Sequence, residues 1–533
     1  MKTRMGLRLR PNDLRRIFEA GLAMRREPTR RNFLKASAIG TLTLRTKSSR
    51  AESVPSGRRR PNLLFLWTDE QRADTMAVYG NKKIRTPNLN KLADQSVVFQ
   101  RAYVTQPVCT PSRSSVMTGL WPHTNGCTAN NIPLRPETPC LPEILKDENY
   151  RTAYMGKWHL GDEVFAQHGF EEWVSIEDNY SRYFREGRDR NARSSYHHFL
   201  IGCGYSPDSN GKFSREFAAR RPIEHGKPKF LERRACDFMR RHRDEPFILY
   251  VNFLEPHMPF FGPLDDLHKP EEIDLPSNFA DPLEDNEPLR YRVNREYCRA
   301  KYGTDEQSFR RLIARYYGLV TLVDQSVGGI LKTLDDLDLS DHTIVVYTSD
   351  HGDMMGAHQM VEKSVMYEEA VRVPWLMRLP GMSRTGRIIR DPVSHIDLVP
   401  TLLELLRYPP DERLPGRSLL PVIRGGTIHE DHVFIEWHPT QEALRRGPHE
   451  TGLASESQLE RVAGDRTRTV IAPDGWKLCL SDVDKCQLFN LTRDPGETTN
   501  LFDSGRHKDV IDRLANRIRR WQERVKDALP LPV

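Results

Sequence analysis

The chain has 533 residues, with 80 Lys and Arg against 73 Asp and Glu, a length that allows a large core and a second domain. The formal charge of +7 is confined to one end: residues 1–60 carry 17 basic and 4 acidic side chains, leaving 63 against 69 in the rest. A mildly acidic body without a basic patch interleaved with aromatics excludes nucleic acid as a partner, and the lack of any run of 18 or more apolar residues excludes a transmembrane segment.

In chain order, Thr29-Arg30-Arg31-Asn32-Phe33-Leu34-Lys35 precedes a short, weakly apolar run from Ala36 to Leu44. This resembles a twin-arginine export signal, an address read by the twin-arginine export machinery and excluded from the fold. A plain basic tail would have the same composition. The expected division is an export signal over 1–51, a linker over 52–60, a catalytic α/β domain over 61–408 and a smaller C-terminal domain over 409–533. Export would place the protein in the periplasm. The eight cysteines lack the C-x-x-C spacing of a zinc site; Cys479 and Cys486 could close a small loop or remain free thiols.

Asn62 to Thr68 is a nearly continuous apolar strand, the kind buried on both faces of a parallel sheet. It ends in Asp69-Glu70-Gln71. Ligands bind open α/β sheets beyond the carboxyl ends of the strands, so these acids fall where a cation could be held, although an aspartate at such a turn also caps helices. A helix opening at Thr86-Pro87 and a strand over Ser96 to Phe99 lead to Val108-Cys109-Thr110-Pro111-Ser112-Arg113. Here a nucleophile-type residue precedes a helix start, whose free N–H groups and Arg113 suit an oxyanion.

Cys109-Thr110-Pro111-Ser112-Arg113 with Thr118-Gly119 resembles the signature of type I sulfatases, members of the alkaline phosphatase superfamily. The resemblance implies that Cys109 is oxidised to formylglycine by a formylglycine-generating enzyme. A hydrated aldehyde carries two hydroxyls on one carbon, one to attack sulfur and one to expel sulfate. It also makes Asp69 and Glu70 metal ligands. Glu70 departs from the usual Asp-Asp pair, with Gln71 as the fallback ligand.

Further on, Gly156-Lys157-Trp158-His159-Leu160-Gly161 is read as strand, which would put Lys157 and His159 on one face with Trp158 opposite. The resemblance gives both residues to the formylglycine hydrate. Residues 176–245 lack periodicity and are read as an excursion over the crevice. The buried strand Phe247 to Leu254 ends in Glu255-Pro256-His257, where prolines orient a histidine suited to protonate a leaving oxygen. A long helix over Phe309 to Leu337 precedes the strand Thr343 to Thr348, which terminates in Ser349-Asp350-His351.

By resemblance, Asp350 and His351 complete the cation site and Lys363 grips sulfate, while His395 is left as structural. Oxygen ligands with one nitrogen favour calcium first, then magnesium or manganese. After Pro409 come short strands in a meander and a helix over Lys508 to Lys526.

The expected fold class is α/β: a large, mostly parallel sheet flanked by helices, with a smaller C-terminal domain of antiparallel strands plus a helix. The expected function is hydrolysis of sulfate esters on a small-molecule or carbohydrate substrate. Its alcohol part would be read by residues 176–245, residues 263–305 and the C-terminal domain. The alternatives are a phosphonate or phosphate ester hydrolase of the same superfamily, or a non-catalytic binder of anionic glycans if Cys109 stays unmodified.

Overall fold

The computed structural model describes residues 60–381, 386–428, 432–439 and 452–533. All of them lie in one unit, Ser56–Val533; the export signal and nearly all of the linker fall outside the described residues. The strands are β1 (Asn62–Asp69), β2 (Val97–Phe99), β3 (Ala102–Tyr103), β4 (Arg151–Gly156), β5 (Glu172–Ser175), β6 (Phe247–Pro256), β7 (Thr343–Ser349), β8 (Arg372–Val373), β9 (Trp375–Arg378), β10 (Arg387–Ile389), β11 (Val393–Ser394), β12 (Val433–Trp437), β13 (Thr467–Ile471), β14 (Trp476–Ser481) and β15 (Gln487–Asn490). Eight form the main sheet in the order β10-β2-β9-β7-β1-β6-β4-β5. Only β9 runs against the others.

The apolar runs read from the sequence are the central strands, and their alternate residues serve two cores. Leu63, Phe65 and Trp67 face one core, with Val116, Met117 and Leu402. Leu64 and Leu66 face the other, with Leu92, Leu231 and Val327. Each fully buried side chain of this size contributes roughly 1.5–3 kcal/mol, so the sheet is a stiff base for residues at its strand ends.

The second core corrects the reading of 176–245. That stretch includes the fifteen-residue helix Lys227–Arg241, whose Phe230, Leu231, Ala235, Phe238 and Met239 are buried. Six Arg and Lys side chains in that helix hide a narrow apolar stripe, and packing against the long helix Glu306–Asp336 reveals it. The remainder of the stretch does form loops and short helices. The long helix itself starts three residues earlier than expected and ends one earlier.

Strands β12 to β15 pair antiparallel in chain order, and the helix Lys508–Val525 covers them. Its Trp521 stacks on Phe434 at 5.2 Å and meets Trp121 edge-on at 5.0 Å, tying this sheet to the main body. All eight cysteines are free, Cys479 and Cys486 included. Among the described residues no helix is long and apolar enough to cross a membrane.

Candidate active site

Parallel register places the acids side by side. Trp67 pairs with Thr348 and Thr68 with Ser349, so Asp69 and Asp350 leave adjacent strands at one level. Glu70 turns away with φ at 69°; its N–H donates to Asp350 Oδ1 at 3.1 Å and its carbonyl accepts from Tyr316 at 2.7 Å. Gln71 faces inward, with its oxygen accepting from Thr68 and Tyr347 and its amide donating to Thr75. It is therefore engaged in the core and does not serve as the fallback ligand.

Two strands away, β4 ends at Gly156. A Cβ there would lie 1.9 Å from the carbonyl oxygen of Asn252, and φ is 124°, so only glycine fits this close approach. The strand stops at this point, and Lys157 to His159 form a loop, with φ of His159 at 59°. The expected strand alternation therefore fails. Lys157 and His159 face the same cavity because the loop is pinned: Glu163 accepts from the backbone N–H of Trp158 at 2.8 Å and of His159 at 2.7 Å.

Cys109 is the first residue of the helix Cys109–Thr118. Its Sγ lies 3.2 Å from His351 Nε2, 3.7 Å from Asp69 Oδ1 and 3.9 Å from Lys157 Nζ. Burial, reinforced by Asp69, pushes its thiol up to about 12. Arg113, one turn along, is fully buried and bridges the two acids. Its Nε donates to Asp350 Oδ2 and its Nη2 to Asp69 Oδ2, each at 2.8 Å, while Nη1 donates to the carbonyl of Lys157 at 2.7 Å and to Asn252 Oδ1 at 3.0 Å. Burial opposes ionisation of Asp69, but Lys157, whose Nζ is 2.5 Å away, and Arg113 outweigh it and hold the carboxyl well below its usual range. His159 approaches Asn131 Oδ1 at 2.9 Å; burial, aided by Lys157 and Arg113, keeps its ring neutral.

Glu70 looks toward a second group. Its Oε2 accepts from Lys363 Nζ at 2.8 Å and lies 3.3 Å from His257 Nε2. Lys363 is buried in a loop rather than exposed on a helix. His257 sits just past β6; burial and the charge of Lys363 push its pKa well below the ordinary value. His395, by contrast, is buried away from these residues, with Nε2 at 2.9 Å from Thr348 Oγ1.

The donor set suits a cation. Ligand atoms of Asp69, Cys109, Asp350 and His351 all lie within 4.8 Å of one another, and a second such group joins Asp69, Glu70 and His257. His351 Nδ1 lies 2.9 Å from the carbonyl of Gly352, and Nε2 faces Asp69 and Asp350. The Glu70 carboxyl also meets the buried carboxyl of Asp353, and burial raises Glu70 to about 8. A divalent ion beside these acids would hold the Glu70 carboxyl ionised.

Cys109, Lys157, His159, His257 and Lys363 line one cavity of about 410 Å³, together with Asn130, Asn131, Tyr180, Arg182 and Arg215. Asp69, Glu70, Asp350, His351 and Arg113 are buried at its base. The residues the sequence reading missed, Tyr180, Arg182 and Arg215, come from the 176–245 stretch already expected to read the substrate. Among the described residues, none from 263–305 or beyond 408 lines this cavity. The only signal for Arg215 was its membership of an arginine-rich segment.

A family model described as Sulfatase matches residues 61–408. The chain is 29% identical to the uncharacterized sulfatase YidJ of Escherichia coli (strain K12) over 88% of both chains. It is 31% identical to the ulvan-active sulfatase of Formosa agariphila, over 70% of this chain and 67% of that one. A solved phosphonate monoester hydrolase from Silicibacter pomeroyi shares the fold, with a TM-score of 0.72 at 22% identity over 88% of this chain and 96% of that one. With a family match over most of its length, the chain belongs to the sulfatase family, the sulfuric ester hydrolases of the alkaline phosphatase superfamily.

Proposed function

We propose that this enzyme cleaves the S–O bond of sulfate esters with Cys109 converted to formylglycine and a divalent cation held by Asp69, Glu70, Asp350 and His351. The observation that carries this reading is the lodging of Cys109 Sγ between His351, Asp69 and Lys157 at the end of the cavity. A thiol pushed up to about 12 is almost wholly protonated at neutral pH and is a weak nucleophile, which favours a modified side chain. A formylglycine hydrate would supply one hydroxyl to attack sulfur and a second to expel sulfate as the aldehyde re-forms. The cation, calcium first and magnesium or manganese next, would polarise sulfate and lower the pKa of the hydrate.

The remaining work falls to the chain's own groups. Lys157 and His159 orient the hydrate, and Arg113 fixes the spacing of Asp69 and Asp350. Lys363 holds a sulfate oxygen. His257, whose Nδ1 donates to the carbonyl of Met258 at 2.9 Å, turns Nε2 toward the leaving oxygen, which it would protonate only in its cationic form. The substrate is a sulfated small molecule or carbohydrate; the ulvan-active relative supports the latter. The catalytic domain spans 61–408 and the smaller domain 409–533, with a formylglycine-generating enzyme as partner and twin-arginine export to the periplasm.

The test is mass spectrometry of the peptide spanning Cys109, where conversion of the thiol to the aldehyde lowers the mass by about 18 Da, paired with turnover of 4-nitrophenyl sulfate. An active enzyme with an intact thiol, or undiminished turnover by Cys109→Ala, rejects the mechanism. Phosphonate monoesters are the second reading, favoured by the imidazole of His351 in the cation corner and by the fold shared with a phosphonate monoester hydrolase. Faster turnover of a phosphonate than of the matching sulfate would establish it.

A further inference from the structure

Arg215 takes no part in the mechanism above, yet it is one of the most firmly held groups in the cavity wall. Its Nε donates to Glu177 Oε2 at 2.7 Å and its Nη2 to the hydroxyl of Tyr180 at 2.8 Å, while Nη1 stands 3.4 Å from His257 Nδ1. Lys227 binds the other oxygen of Glu177. The side chains of Glu177 and Lys227 are 1% and 4% exposed and that of Arg215 is 18% exposed. Two cations thus share this carboxylate, and a second buried acid, Glu255, stands close enough for both to act on it. Arg215 lines both the small pocket that it shares with Lys227 and Glu255 and the cavity that holds Cys109. A guanidinium held in place on a cavity wall offers its remaining donor edge to an anion.

Its position says which anion. Nε2 of His257 faces Glu70 and Nδ1 faces Arg215, so one imidazole ring separates the guanidinium from the acids where the scissile sulfate is proposed to sit. A group reaching Arg215 is therefore a different substituent of the same substrate. Between the two, the ring of Tyr180 lies over His159 at 4.4 Å and offers an aromatic surface. Arg182, stacked on Tyr183 at 4.6 Å, adds an exposed guanidinium on the same rim. No carboxylate among the described residues pairs with it. Glu216 is the exposed acid of this wall.

The geometry points to a second anion subsite, built by Arg215 with Arg182 at its rim, that takes a sulfate or carboxylate borne beside the scissile sulfate. The enzyme's substrate class is thus acidic saccharides with at least two anionic groups. This rests on the sulfatase reading for the location of the scissile group.

The experiment is calorimetric titration of the Cys109→Ala protein with three probes: glucosamine 6-sulfate, glucosamine N,6-disulfate, and a chondroitin 6-sulfate disaccharide, whose second anion is a carboxylate. At least one two-anion probe should bind about 10-fold or more tightly than the monosulfate, and which one does identifies the second group. Arg215→Gln on this background leaves Glu177 and Lys227 as a matched pair and should collapse that ratio toward one. Arg215→Lys should restore part of it, and the exposed Arg182→Ala should reduce it about threefold with folding unaffected. Equal affinity for all three probes, absence of binding, or a ratio untouched by Arg215→Gln overturns the subsite. A wild-type enzyme that cleaves 4-nitrophenyl sulfate without any such preference sinks only this proposal. One that binds the two-anion probe selectively but hydrolyses no sulfate ester sinks the catalytic reading instead.

Discussion

Replacing Arg113 by lysine is the most informative single change. The guanidinium has no solvent exposure and donates to Asp69, Asp350, the carbonyl of Lys157 and Asn252. A lysine ammonium is a point donor that can reach one of the two carboxylates but cannot bridge both. The variant loses one charged hydrogen bond, at roughly 1.5–3 kcal/mol, and two neutral ones at roughly 1 kcal/mol each, so unfolding free energy should fall by about 4 kcal/mol. Urea titrations in chelator would measure this. Saturating calcium should shrink the loss, because a bound cation offers Asp69 and Asp350 another partner. A carboxylate displaced by about 1 Å should also reduce kcat/KM about 100-fold. A variant within about 1 kcal/mol of wild type in chelator, with turnover of 4-nitrophenyl sulfate also intact, would refute the bridging role.

Glu436 tests a distant site. It is buried between His123 Nδ1 at 2.5 Å and His438 Nε2 at 2.8 Å, and although burial opposes ionisation, these rings and Arg468 hold its carboxyl down at about 2 from an ordinary 4.5. A depressed carboxyl stabilises the fold above its unfolded pKa, and the contribution, about 3 kcal/mol, is lost as pH falls from 4.5 toward 2. The stability gap between wild type and Glu436→Gln should close over that window; a gap independent of pH would contradict the assignment. Gly352→Ala would put a Cβ 1.9 Å from the carbonyl oxygen of Glu369 and displace the adjacent His351, so kcat/KM should drop about 100-fold. An unchanged rate would show that this corner tolerates movement. Removing the cation with chelator should abolish turnover, with calcium restoring it more fully than magnesium or manganese; full activity in chelator would eliminate the metal role.

What could be read from the sequence follows from where each residue sits. Asp69 and Asp350 end buried apolar strands, and a parallel sheet brings such ends together whatever the intervening length. Cys109 and Arg113 share a helix, so their spacing is local. Lys157 and His159 were expected on one strand face; they line one cavity instead because Gly156 ends the strand and the chain turns. Arg215, Tyr180 and Glu177 have no periodic context; only tertiary packing sets the bearing of a side chain on an irregular loop. The helix Lys227–Arg241 was hidden because its polar face is crowded with charge and its apolar face is narrow.

The depth of Cys109 also fixes a timetable. With 2% of its surface in contact with solvent, at the first turn of a helix wedged between two strand ends, the thiol cannot enter the catalytic cleft of another protein once this chain has closed around it. On the proposed formylglycine reading, the converting enzyme would have to work on the newly made polypeptide, and a chain that folded first would keep its thiol.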